Sequence, residues 1–257
     1  MKKLVIFAAL FLLLLPGAAE AAPHAAQSAA AGGLSIDFSG SGLFTDRMMQ
    51  IIALITILSV APSILIMMTS FVRIVVVLSL LRTALGLQQS PPNAVIVSLS
   101  LFLTLFVMTP TLKDAYAQGV EPLINNQITT EQALDKAAVP MKKFMLGHVR
   151  QSDLKLFLDM SGKKLPQTPD AIPLTTVAPA FMISELKRAF EIGFLIFVPF
   201  LIIDMAVASI LMSMGMMMLP PVIISLPFKL IFFVLVDGWR LISGSLVESY
   251  MHGPPPG

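Results

Sequence analysis

The sequence predicts an all-α membrane protein built from helical hairpins, with about four long apolar helical segments and several short helices between them. Of 257 residues, 56% are hydrophobic and only 12% are charged, about half the charged share of an ordinary soluble domain. The mean hydropathy is +0.86. The apolar residues are gathered in long runs punctuated by Gly, Pro and Gln, the pattern of membrane-crossing helices and their turns.

The charge balance narrows the function classes. Seventeen Lys and Arg against fifteen Asp and Glu leave a net charge of +2. No basic face is dense enough to hold a phosphate backbone, so nucleic acid is not expected as a partner. The chain has no cysteine, which excludes disulfides and thiolate chemistry.

Residues 1–21 read as a cleavable signal peptide. Lys2 and Lys3 precede the apolar run Leu4 to Leu15, and Ala19, Glu20 and Ala21 supply small residues at cleavage spacing. The alternative is an uncleaved first membrane helix. Twelve apolar residues reach only about 18 Å as helix, short of the roughly 30 Å hydrocarbon core. Residues 22–47 then form a flexible periplasmic lead-in, rich in Ala, Gly and Ser from Ala22 to Gly42.

Residues 48–112 read as the first apolar helical hairpin. The 34 residues from Met48 to Leu81 would extend about 51 Å as one helix, more than a bilayer needs. Pro62 therefore divides this run or kinks it. Gly86, Pro91 and Pro92 shape the following turn, and a second helix runs from about Asn93 to Leu112.

Residues 113–189 form a mainly periplasmic polar helical region, holding ten of the seventeen basic and eight of the fifteen acidic residues. Thr129 or Thr130 before Glu131, and Ser152 before LKLFLDM, mark helix starts. Residues 190–240 form the second apolar hairpin, with runs from Phe190 to Met214 and Pro221 to Val236. Residues 241–257 are left as a C-terminal tail that frays at HGPPPG. Four crossings after signal cleavage place both termini and the polar region outside and the two hairpin turns inside. The positive-inside rule decides little here, because the charged region is 77 residues long.

Arg73 and Asp204 lie deep in apolar runs, where a charge faces a bundle interior, a partner or water. They could pair with each other structurally or act in conduction or proton coupling. Lys229 is placed to snorkel to an interface, and Asp237 and Arg240 can meet three residues apart on one helix face. Catalytic signals are poor. Ser152 and Asp153 beside His148 supply neither a nucleophile elbow nor an oxyanion site. His24, His148 and His252 are scattered, so no metal or cofactor site is expected.

The stretch MSMGMMMLPP, Met212 to Pro221, puts flexible, polarisable side chains where polar turn residues are usual. Gly215 lets the backbone bend, and Pro220 and Pro221 stop the helix. In one copy this is a packed or lipid-dipping loop. In several copies around an axis it is a deformable apolar constriction that excludes ions by dewetting.

Two long blocks carry a resemblance. FVRIVVVLSLLRTALGLQQSPPN, from Phe71, and PAFMISELKRAFEIGF, from Pro179, followed by VPFLIIDMAVASILMSMGMMMLPP, stand in this order. They resemble the P-subunit family of the bacterial flagellar export gate, shared with virulence type III secretion systems, and the length and blocks favour the flagellar branch. The resemblance covers nearly the whole mature chain. It implies a non-enzymatic, channel-forming subunit that assembles into a helical ring, commonly described as pentameric, with the Q and R export-gate subunits.

The larger A and B export proteins are implied as functional partners, and unfolded flagellar rod, hook and filament proteins as cargo. The implied site is the bacterial inner membrane at the flagellar basal body, with the assembled hairpins raised toward the periplasm. The constriction maps onto Met214, Met216, Met217 and Met218, with Met212 as a weaker neighbour. In SELKRAFEIGF, Ser184 is expected to cap a helix, Glu185 to fall in its first turn and Arg188 to meet Glu191. Glu185, Lys187 and Arg188 are candidates for inter-subunit contacts. The rival functions are an ion-coupled transporter using Arg73 and Asp204, and a membrane scaffold whose methionine loop only packs.

Overall fold

The computed structural model describes residues 66–162, 171–216 and 220–251, together with Met48, Ile51, Ile52, Ile55, Thr56, Ser59 and Ser63. The signal peptide, the lead-in before Met48, Pro62, Met217, Met218 and the HGPPPG end lie outside the described residues. The chain divides into two compact units, Met1–Ile52 and Ala53–Gly257. In the first, the described residues Met48, Ile51 and Ile52 are helical. The second contains the packed helices and both cores.

The described elements of this second unit are all helical: α1 (Phe71–Ala84), α2 (Asn93–Ala115), α3 (Glu121–Ile124), α4 (Thr130–His148), α5 (Gln151–Met160), α6 (Leu174–Ser213), α7 (Pro221–Leu235) and α8 (Gly238–Met251). Among the described residues there is no strand, as expected for an all-α membrane protein. Two helical stretches, Asn93–Ile124 and Leu174–Ser213, are long and apolar enough to cross a membrane. A third is added if α7 and α8, bent by 61° at their junction, count as one span.

Helix α1 is the centre of the core. It is rich in β-branched Val and Ile, which favour helix only weakly, so packing rather than propensity holds it. Ile74, Val77, Leu78 and Leu81 are buried and cluster with Ala189 and Phe200 of α6, Phe233 of α7, and Leu246 and Tyr250 of α8. Gly193 permits the close approach of α6, since a Cβ there would come within 2.3 Å of Leu80 Cδ1.

The polar region folds back on α2 and α6. Residues Tyr116–Val120 form a π-helical turn joining α2 to α3. A Cβ on Gly119 would meet the Ala133 carbonyl oxygen at 2.6 Å, so the missing side chain lets α4 lie against this turn. Thr129 caps α4 through a capping box with Gln132, one of the two starts expected there. Helix α5 begins one residue before Ser152, at Gln151. Met145, Leu158, Ile172, Val177 and Phe181 make a second core joining α4, α5 and the start of α6.

Helix α6 has 40 residues, about 60 Å or twice the hydrocarbon thickness. It runs without a break across residues 189 and 190, where the sequence changes from polar region to apolar hairpin. Pro179 and Pro199 lie inside it. The C-terminal tail expected from residue 241 is instead helix through Met251, and Leu246 and Tyr250 are core residues. Ile242, Leu246 and Tyr250 recur every fourth position on one apolar face, and that face packs into the core.

Candidate functional site

One buried charge cluster, one partly buried charge cluster and one hairpin turn concentrate the unusual chemistry. The first cluster joins α1, α6 and α8. Arg73 and Glu185 are 1% and 0% exposed, and Arg73 Nε donates to Glu185 Oε2 at 2.8 Å while Nη2 donates to Oε1. Arg73 Nη1 donates to Ser249 Oγ at 3.1 Å, and the guanidinium carbon lies 3.9 Å from the Tyr250 ring centroid. The Tyr250 hydroxyl donates to Glu185 Oε2. The forked guanidinium is thus met by a carboxylate, a hydroxyl and an aromatic face, the set that makes burial of a charge tolerable.

The second cluster joins α6, α7 and the end of α1. Lys229 Nζ donates to Asp204 Oδ2 at 2.6 Å and to the carbonyl oxygen of Ala84, the last residue of α1, at 3.3 Å. The Ser225 hydroxyl donates to Asp204 Oδ1. The ammonium therefore sits at the negative end of α1, where a cation is favoured.

An Arg73–Asp204 pair does not form. Glu185 and Asp204 are 19 positions apart on α6, about 28 Å along the axis, so the arginine that reaches one cannot reach the other. Lys229 does not snorkel to an interface either. It is 3% exposed, because Asp204 and the α1 carboxyl end draw it inward. Asp237 and Arg240 do meet, at 4.0 Å, on an exposed surface.

The expected helix start at Ser184 is also corrected. Helix α6 begins at Leu174, which places Ser184 and Glu185 in its interior. Pro179 lies within the second turn of the helix, where its missing N–H removes one backbone bond. Ser184 Oγ instead accepts from the Arg150 N–H at 3.0 Å and lies 2.7 Å from Asp153 Oδ2, joining α6 to the start of α5. Glu191 pairs with Lys187 at 3.8 Å rather than with Arg188. The i,i+4 geometry suits two long side chains, and both are exposed, so the pair contributes little.

The hairpin turns share one device. Gly86 and Gly215 have φ of +79° and +75°. At the first, Leu87 N–H donates to Arg82 O and Gly86 N–H to Thr83 O. At the second, Met216 N–H donates to Leu211 O and Gly215 N–H to Met212 O. Both helices end in the same paired closure around a left-handed glycine. Pro91 and Pro92 follow the first turn, whose entry is held by Arg82 Nη1 donating to Asn93 Oδ1 at 2.6 Å. Pro220 precedes α7 and Pro221 is its first residue. Met214 and Met216 are 62% and 44% exposed. Met217 and Met218 are not among the described residues.

Among the described residues, His148 is held by backbone carbonyls rather than by a nucleophile or an acid. Its Nδ1 lies 2.8 Å from Phe144 O and its Nε2 3.3 Å from Tyr250 O, so both ring nitrogens face backbone carbonyls. Ser152 Oγ is 3.5 Å from Asp153 Oδ1 on the surface. Among the described residues, no group of three or more His, Cys, Asp or Glu could hold a metal ion. The partners that sequence reasoning missed are Tyr250, Ser249 and Ser225. The four-residue spacing of Ile242, Leu246 and Tyr250 is the signal that could have placed Tyr250 in the core.

The sequence model of the FliP family matches residues 54–246, from before α1 into α8. The chain is 60% identical over 231 residues to the flagellar biosynthetic protein FliP of Caulobacter vibrioides, covering 90% of this chain and 86% of that one. It is 57% identical over 201 residues to the protein of the same name from Bacillus subtilis, covering 78% and 91%. For the Aquifex aeolicus protein the identity is 51% over 215 residues, covering 82% and 89%. The family match spans both charge clusters, except Ser249 and Tyr250, and the whole methionine turn, and the chain belongs to the FliP family.

Proposed function

We propose that this chain is the channel-forming subunit of a flagellar protein export gate, conducting unfolded rod, hook and filament proteins and nucleating assembly of the export apparatus. The Caulobacter and Bacillus relatives are flagellar biosynthetic proteins, and a flagellar role for this chain rests on that likeness. The observation that carries the channel reading is the α6–α7 hairpin. It ends in a glycine-closed turn whose methionines Met214 and Met216 stand exposed.

The apolar surface supports assembly. In the most apolar windows of Leu174–Ser213 and Asn93–Ile124, only 17% and 22% of the residues are buried within one copy. Phe190, Phe194, Leu201 and Met205 of α6 are exposed. Such dry surface is covered by lipid or by protein. In this reading copies of the chain cover one another in a ring, commonly pentameric in the family, joined by Q and R subunits and served by the A and B proteins. The chain acts without catalysis, at the inner membrane of the flagellar basal body, with its hairpins raised toward the periplasm. Lys187 and Arg188 remain candidates for subunit contacts, whereas Glu185 is fully buried against Arg73 and Tyr250 within its own copy.

The ion-coupled alternative loses its main support, because Arg73 and Asp204 each have an opposite charge within hydrogen-bonding reach in the same copy. Imaging the native particle at side-chain resolution tests the proposal. It expects several copies around an axis with methionines turned inward. A single copy, or methionines turned outward into lipid, overturns it.

A further inference from the structure

We propose that Lys229 and Asp204 are positioning residues that set where the end of α6, with Met214 and Met216, stands relative to α1 and α7. This rests on the channel reading and deepens it by naming what holds the constriction in place.

The pair sits at matched depth in the two arms of the hairpin. Asp204 is nine residues before the end of α6 at Ser213, and Lys229 is eight residues after the start of α7 at Pro221. At the helical rise these are about 13 Å and 12 Å below the turn. A contact at equal depth fixes the register of the arms, so a slip of one helix by a turn would part the charges.

Among the described residues, both hydrogen bonds between α6 and α7 end on Asp204, one from Ser225 and one from Lys229. Beyond Asp204 toward the turn, Leu211 alone of α6 is buried, and α7 has no buried residue before Ser225. Asp204, held by Ser225 and Lys229 together, is therefore the last polar fixed point before the exposed end of the hairpin. Lys229 also reaches the Ala84 carbonyl at 3.3 Å, and an added Cβ on Gly86 would lie 3.9 Å from Leu226 Cδ1. One ammonium thus ties the methionine hairpin to the end of α1, and Leu226 of α7 lies beside the turn that follows it. Sliding of α7 must break this three-way joint or carry α1 with it.

The purified export complex, reconstituted in lipid vesicles, provides the test. Because the chain has no cysteine, Val222→Cys on the exposed start of α7 gives this subunit a single nitroxide label. Two readouts are taken from complexes selected for full assembly: label mobility by electron paramagnetic resonance, and vesicle ion leak. Lys229→Met keeps the length of the stem and leaves Asp204 with its Ser225 bond. It is expected to raise label mobility and to increase leak about tenfold, the population change that about 1.4 kcal/mol produces. Lys229→Arg keeps the charge and should remain near the unaltered protein.

Unchanged label mobility in assembled Lys229→Met complexes overturns the positioning role, whatever the leak does. Raised mobility with unchanged leak upholds it and counts instead against the channel reading. If Lys229→Met does not assemble, Asp204→Asn is measured in its place. It removes the charge while keeping an oxygen for Ser225, and raised or unchanged mobility decides in the same way.

Discussion

Arg73 on α1 and Glu185 on α6 form a buried two-pronged ion pair across 112 positions of sequence, with Tyr250 of α8 covering both. A charge of this kind is stable only while every member is present. Removing one partner leaves the other desolvated and unmatched, which typically costs about 3 to 5 kcal/mol, whereas replacing both by apolar groups can be nearly neutral.

Arg73→Met alone and Glu185→Leu alone are therefore expected to lower stability by about 3 to 5 kcal/mol each. The double variant should lose clearly less than the sum. Thermal unfolding of the detergent-solubilised protein, arranged as a double-mutant cycle, measures the difference. Additive losses would show that the two side chains do not depend on each other.

Tyr250→Phe keeps the ring against Arg73 and removes one hydrogen bond to Glu185. The expected loss is about 1 to 3 kcal/mol, smaller than for either ion-pair variant. A shortened chain ending before Tyr250 should do worse than Tyr250→Phe, because it also removes the ring from the core. Comparing melting temperatures of the three proteins checks the order.

Gly193→Val should destabilise by about 1 to 3 kcal/mol through overpacking, since even a Cβ at this position would press into Leu80. Leu80→Ala in the same chain should recover part of the loss. Recovery would place the strain at the α1–α6 contact and not in the helix backbone.

Asp204→Ala leaves the Lys229 ammonium buried with only the Ala84 carbonyl. It is expected to reduce recovery of assembled complex more than the export rate of complexes that do form. Quantifying complex yield beside secretion per complex separates the two. Normal yield with lost secretion would restore the ion-coupled reading.

Shortening Met216, Met217 and Met218 together to Ala should leave assembly intact and raise small-ion leak, because apolar constrictions exclude ions by filling and dewetting the passage. Leak through the reconstituted complex is the measurement. Ion tightness equal to that of the unaltered protein would favour the scaffold reading.

Features settled within a few residues were legible from the chain alone. The Gly86 and Gly215 turns, the Pro220–Pro221 restart and the Thr129 cap are of this kind, because a left-handed glycine, a missing N–H or a capping hydroxyl acts locally. The all-helical membrane class was legible as well, since it comes from the length and dryness of the apolar runs. Which charges meet was settled by helix packing instead. Arg73 found Glu185 rather than Asp204, Lys229 turned inward to Asp204, and the end of the chain became core through Leu246 and Tyr250. Desolvating a charge commits it to whatever opposite charge the packed helices bring within about 3 Å. Sequence spacing gives position along one helix and not the register between two.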